Sequence, residues 1–127
     1  MARSIFARGH WGLRSLSTFS EIYLYRDFVD LRKSYGSLSI LAQSELGAEW
    51  GKSQLFIFTN RRRNLIKLLY YDRTGFAIWM KRLERWRYPW PRDVDKVLSL
   101  STSDLEEMLS GVNIWSRHKE VLIETVF

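Results

Sequence analysis

No cysteine occurs among the 127 residues, so neither a disulfide nor a thiolate metal site can form. A reducing cytosol suits such a chain. Histidine is nearly as scarce, with His10 near the start and His118 near the end. Nucleophilic hydrolysis that relies on an imidazole base within hydrogen-bond reach therefore has little to build on. His118, between Arg117 and Lys119, reads as an exposed cationic neighbour. Glycine-rich phosphate loops and the His-Glu-x-x-His spacing are missing. No apolar run approaches the roughly 20 residues of a membrane-spanning helix, since the stretch 65–71 is interrupted by Lys67. Both prolines fall in Tyr88-Pro89-Trp90-Pro91, a segment that can extend neither a helix nor a central strand. What remains for catalysis is a carboxylate cluster holding magnesium, drawn from Asp27, Asp30, Asp72 and Glu84. Capping and turn roles explain the aspartates more simply, and no catalytic residue, metal ligand or cofactor is assigned.

Aromatic residues, by contrast, are abundant at 15%, with six tryptophans in a short chain. Charge is unevenly placed. Residues 60–92 hold ten Lys and Arg against Asp72 and Glu84, a net +8, while the rest of the chain sums to −2. Tyr70, Tyr71, Phe76, Trp79, Trp86, Tyr88 and Trp90 are interleaved with these cations. Cations for phosphates and ring faces for bases are what a polyanion-binding surface requires, and DNA is the expected partner. The candidate contacts are Arg61, Arg62, Arg63, Lys67, Lys81, Arg82, Arg85, Arg87, Trp86 and Trp90, with Arg32 and Lys33 as secondary candidates. Trp86 and Trp90, flanked by charge and proline, read as exposed, whereas Trp79 and Tyr70 read as core. The competing reading of the run at 61–63 is a solvated loop tip that guards a sheet edge.

A chain of this length forms one domain that buries about two-thirds of its unfolded surface. The first 20 residues carry Arg3, Arg8 and Arg14 and no acid, a composition shared with organelle transit peptides. A poorly ordered leader, or an upstream start codon read into the protein, accounts for it with fewer assumptions, leaving 21–127 as the domain. Residues 21–26 have strand character. A helix is expected over 30–46, with Asp30 as its N-cap and Gly47 as its terminator, and Gly36 marks a close backbone approach or a break. Strands at 55–59, 65–71 and 76–82 form an antiparallel meander, with a loop at 60–64 and a turn at Asp72-Arg73-Thr74-Gly75. Pairing across that turn places Tyr71, Leu69 and Lys67 opposite Phe76, Ile78 and Met80 on one face. Leu68 with Trp79 and Ile66 with Lys81 share the other. Both faces are apolar, so the sheet needs cover on each. A short second helix carries Leu105, Met108 and Leu109, with capping-box spacing between Ser103 and Glu106 and a stop at Gly111. Strands or a covering tail are expected at 112–115 and 121–126. The fold class is α+β: a small single domain with an antiparallel β-meander packed against one longer and one short helix.

Several blocks occur together in order. They are Phe28-Val29-Asp30-Leu31-Arg32-Lys33-Ser34-Tyr35-Gly36-Ser37-Leu38, Leu55-Phe56-Ile57-Phe58-Thr59-Asn60-Arg61-Arg62-Arg63 and Lys67-Leu68-Leu69-Tyr70-Tyr71-Asp72, followed by Gly75-Phe76, Lys81-Arg82-Leu83-Glu84 and Trp90-Pro91. From about residue 22 to 118 the chain resembles the TnpB-type accessory proteins of insertion-sequence family sixty-six, which are unrelated to the RNA-guided nucleases sharing that label. Trp86 and Tyr88 stand where the resemblance leads one to expect glycine and phenylalanine. The resemblance implies a bacterial, cytoplasmic mobile-element protein, encoded beside a separate transposase and needed for efficient transposition, with no established catalytic residues. Three functions follow for comparison: a non-enzymatic DNA-binding accessory factor, a module that docks on the transposase without touching DNA, and a metal-dependent nuclease.

Overall fold

A computed structural model describes residues 15–32, 35–92 and 94–115. After a 3-10 turn at Leu16–Thr18 come β1 (Glu21–Tyr25), α1 (Tyr35–Leu46), β2 (Gln54–Thr59), β3 (Leu65–Asp72), β4 (Gly75–Arg82), β5 (Val97–Leu100) and α2 (Thr102–Leu109). The five strands form one sheet in the order β4-β3-β2-β1-β5. The expected meander is its β2-β3-β4 half. β1 lies parallel to β2, joined by a crossover through α1, and β5 returns antiparallel on the outer side of β1.

The register across the β3–β4 turn is the expected one, with Tyr71 opposite Phe76, Leu69 opposite Ile78 and Leu68 opposite Trp79. Strand alternation then divides the core in two. On one face Tyr25, Phe56, Phe58, Leu65 and Leu69 pack with Leu38, Ala42 and Leu46, a stripe repeating every fourth residue along α1. On the other, Ile22, Leu24, Leu55, Ile57, Ile66, Leu68 and Tyr70 are covered by Leu105, Met108 and Leu109 of α2 and by Tyr88, Trp90 and Ile114. All six residues of β2, the middle strand, are buried. Leu16 and Phe19 also enter this second core, so the segment read as a leader contributes apolar cover before β1 begins. Residues 1–14, the rest of that segment, lie outside the described residues, as does the strand expected at 121–126.

Two local expectations are corrected. The first helix starts at Tyr35 rather than near residue 30, because the Asp30 carboxylate accepts bonds from the backbone N–H of Arg32 (3.0 Å) and from its guanidinium, which closes a turn there. Gly36 therefore falls in the first helical turn. The helix ends as expected at Gly47, whose φ of 65° suits glycine. In α2 the capping box is Ser101 with Asp104, not Ser103 with Glu106: Ser101 Oγ accepts from the Asp104 N–H at 3.0 Å, and the Asp104 carboxylate accepts from the Ser101 N–H. Ser101→Ala should lower stability by about 1 kcal/mol, read as a shift in the urea midpoint at constant slope.

Candidate nucleic-acid interface

The pairing scheme brings the basic elements to one end of the sheet. β1 and β2 finish there at Tyr25 and Thr59, β3 and β5 begin there at Leu65 and Val97, and β4 finishes there at Arg82. The β2–β3 loop, which carries Arg61, Arg62 and Arg63, is held by the Asn60 side chain. Asn60 Oδ1 accepts from the N–H groups of Asn64 and Leu65 (both 3.2 Å), and its Nδ2 donates to Asn64 Oδ1 at 2.7 Å. A compact loop of this kind leaves Arg61 and Arg62 exposed at its tip, with Arg63 half-buried beside them.

The chain leaving β4 is fastened to that loop twice. The Leu83 N–H donates to the Asn64 carbonyl at 2.8 Å and the Tyr88 N–H to the Arg63 carbonyl at 2.7 Å. Between these bonds hang Glu84, Arg85, Trp86 and Arg87, all exposed. Trp86 is 76% exposed, in keeping with its charged neighbours. Trp90 is not exposed: it retains only 7% of its surface, and its indole N–H donates to the Arg26 carbonyl at 2.8 Å. The two prolines turn the segment back over the sheet end, so burial of Tyr88 and Trp90 overrides the polarity of their neighbours. Tyr88 is buried without a charged partner, which pushes its phenol well above the usual range.

Arg63 occupies the left-handed region, φ 58°, and lays its guanidinium over the Trp90 ring at 5.8 Å. Its Nη1 is buried with no hydrogen-bond partner. Burial, then the nearby charge of Arg92, lowers its pKa, against the opposing pull of Asp27. Arg61 rests over the ring of Phe28 at 5.8 Å. Arg92 and Arg26, which the sequence pattern did not single out as site residues, thus belong to this end. The only forewarning for Arg92 was its place in the basic stretch. Arg26 is engaged, donating to Asp27 (3.2 Å) and to the Val94 carbonyl (2.8 Å). Among the described residues, no ion pair involves Arg61, Arg62, Arg63, Arg82, Arg85, Arg87 or Arg92.

The two lysines behave differently. Lys67 and Lys81 project to opposite faces of the sheet, and each is engaged by a backbone carbonyl: Lys67 Nζ by Leu31 at 2.6 Å, Lys81 Nζ by Leu109 at 3.3 Å. Leu109 closes α2, where a cation favourably meets the negative end of the helix dipole. Arg32 is exposed but paired with Asp30 at 2.9 Å, and Lys33 lies outside the described residues. The carboxylates considered for a metal site are dispersed. Asp27 and Asp30 pair with arginines, Asp72 sits in the turn at the opposite end of the sheet, and no three metal-ligating side chains gather among the described residues. No described helix is long and apolar enough to cross a membrane.

A family model described as IS66 Orf2 like protein matches residues 20–119, which take in every described element from β1 onward. The chain belongs to the IS66 Orf2-like family. Two uncharacterized proteins of Sinorhizobium fredii are similar to it: y4hO, 28% identical over 99 residues (78% of this chain and 85% of the relative), and y4jC, 28% identical over 91 residues (72% and 77%). No solved structure matches. Membership of the IS66 Orf2-like family supports an accessory role in transposition, and the arginine end lies within the matched region.

Proposed function

We propose that this protein is a non-enzymatic accessory factor of transposition that binds the phosphate backbone of DNA through the arginine end of its sheet. The observation that carries this reading is convergence. The β2–β3 loop tip, the end of β4 and the fastened segment that follows it present Arg61, Arg62, Arg82, Arg85 and Arg87 at one end of the sheet without an ion-paired carboxylate among the described residues. A cation already neutralised internally gains little from a phosphate, whereas an unpaired one releases the counterions of DNA. Lys67 and Lys81 keep their charge but are left out of the contact set by position, since carbonyl bonds hold their ammonium groups against opposite faces of the sheet.

The test is a titration of labelled duplex at several salt concentrations. Contact with about five phosphates gives a plot of log affinity against log salt with a slope near −4.5, little affected by base sequence. A flat response would remove DNA phosphate as the ligand of this end.

A further inference from the structure

We propose that the loop between Leu83 and Tyr88 is a platform for unpaired nucleotides, on which Trp86 stacks against a base while Arg85 and Arg87 engage the adjoining phosphates. The proposal rests on the DNA-binding reading and specifies its ligand. Among the described residues Trp86 is the most exposed of the large apolar side chains, and it stands between two exposed arginines. The loop that presents it is fastened at both ends, by Leu83 N–H to Asn64 O (2.8 Å) and Tyr88 N–H to Arg63 O (2.7 Å). A ring held out by a fixed backbone loses little freedom on binding. Inside a duplex each base face is covered by its neighbours. An indole face can therefore be satisfied only by a base that has left the stack, as in a single strand, a frayed end or a bulge. Arg85 and Arg87, exposed on either side of Trp86, supply the cations that the phosphates flanking a stacked base require.

The experiment measures anisotropy of labelled oligonucleotides with the full chain at fixed salt. It uses a single strand, the matching duplex, and a single strand with abasic positions that keeps every phosphate. Trp86→Ala should weaken single-strand binding by roughly 5- to 100-fold and duplex binding less than about two-fold. The unaltered protein on the abasic strand should fall to the level of the variant on the ordinary strand. Because Trp86 is solvated, the substitution leaves folding intact, which the circular dichroism melt checks. If Trp86→Ala binds single strands normally while arginine substitutions weaken both forms, the platform is overturned and the phosphate reading stands. If the unaltered protein binds neither form, both fall. If Trp86→Ala abolishes co-purification with the transposase and leaves single-strand binding unchanged, the ring serves a protein partner and the proposal is overturned.

Discussion

Trp90→Ala is expected to destabilise the protein by about 3–5 kcal/mol, because it empties a buried indole-sized volume and strands the Arg26 carbonyl. Set against the roughly 5–15 kcal/mol total stability of a domain, that is enough to leave a large unfolded population at 37 °C. Urea denaturation followed by tryptophan fluorescence gives the number, and a midpoint shifted by less than the equivalent of about 1 kcal/mol would show that the ring is dispensable. Trp90→Phe should recover part of the loss, since it refills most of the volume but donates no hydrogen bond. Arg63 ties this prediction to function. Its guanidinium lies on the Trp90 face, so the loss of that face frees the most enclosed arginine of the tip. Stability and DNA affinity should therefore both respond to a residue that lies buried beneath the tip.

The second large effect concerns the exposed cations. Replacing Arg61, Arg62, Arg85 and Arg87 together with serine should flatten the salt dependence by about 3.6 units, at about 0.9 per phosphate contact. The corresponding loss at about 0.1 M salt is on the order of a thousand-fold. These side chains are exposed and have no described ion pair, so the variant should fold normally. Lys67 and Lys81 provide the contrast: their ammonium groups are held against opposite faces of the sheet, so replacing either should leave the slope unchanged. An unchanged slope in the four-arginine variant would exclude this end of the sheet from the interface.

How far the sequence reveals these features depends on how local the deciding interaction is. The β3–β4 register is legible because the turn at Asp72-Arg73-Thr74-Gly75 is tight and the alternation on either side is long. β5 is not legible: Val97-Leu98-Ser99-Leu100 is too short to distinguish from loop, and its place beside β1 is a purely tertiary fact. Nor does strand alternation reveal that β1 runs parallel to β2. In α2 two pairs share the capping spacing, and the choice of Ser101 with Asp104 comes from which start directs Leu105, Met108 and Leu109 into the core. The arginine tip could be read from its loop position. Trp90 could not, because its neighbours in sequence are charged while its neighbours in space are apolar. The lysines illustrate a different gap. Counting charge along 60–92 pools Lys67 with Lys81, although strand parity had already sent them to opposite faces.

The placement of β5 has a bearing on how the chain matures on the ribosome. Tyr25 pairs with Val97 and Ile22 with Leu100, so β1 completes its backbone bonding only after β5 has left the exit tunnel. Until then one margin of β1 stands open, and closing it spans most of the polypeptide, the sort of distant closure that slows folding. A chain cut short after residue 92 would retain every arginine of the tip yet lose α2 and Ile114 along with β5, leaving both that margin and one apolar face of the sheet ready to recruit another molecule.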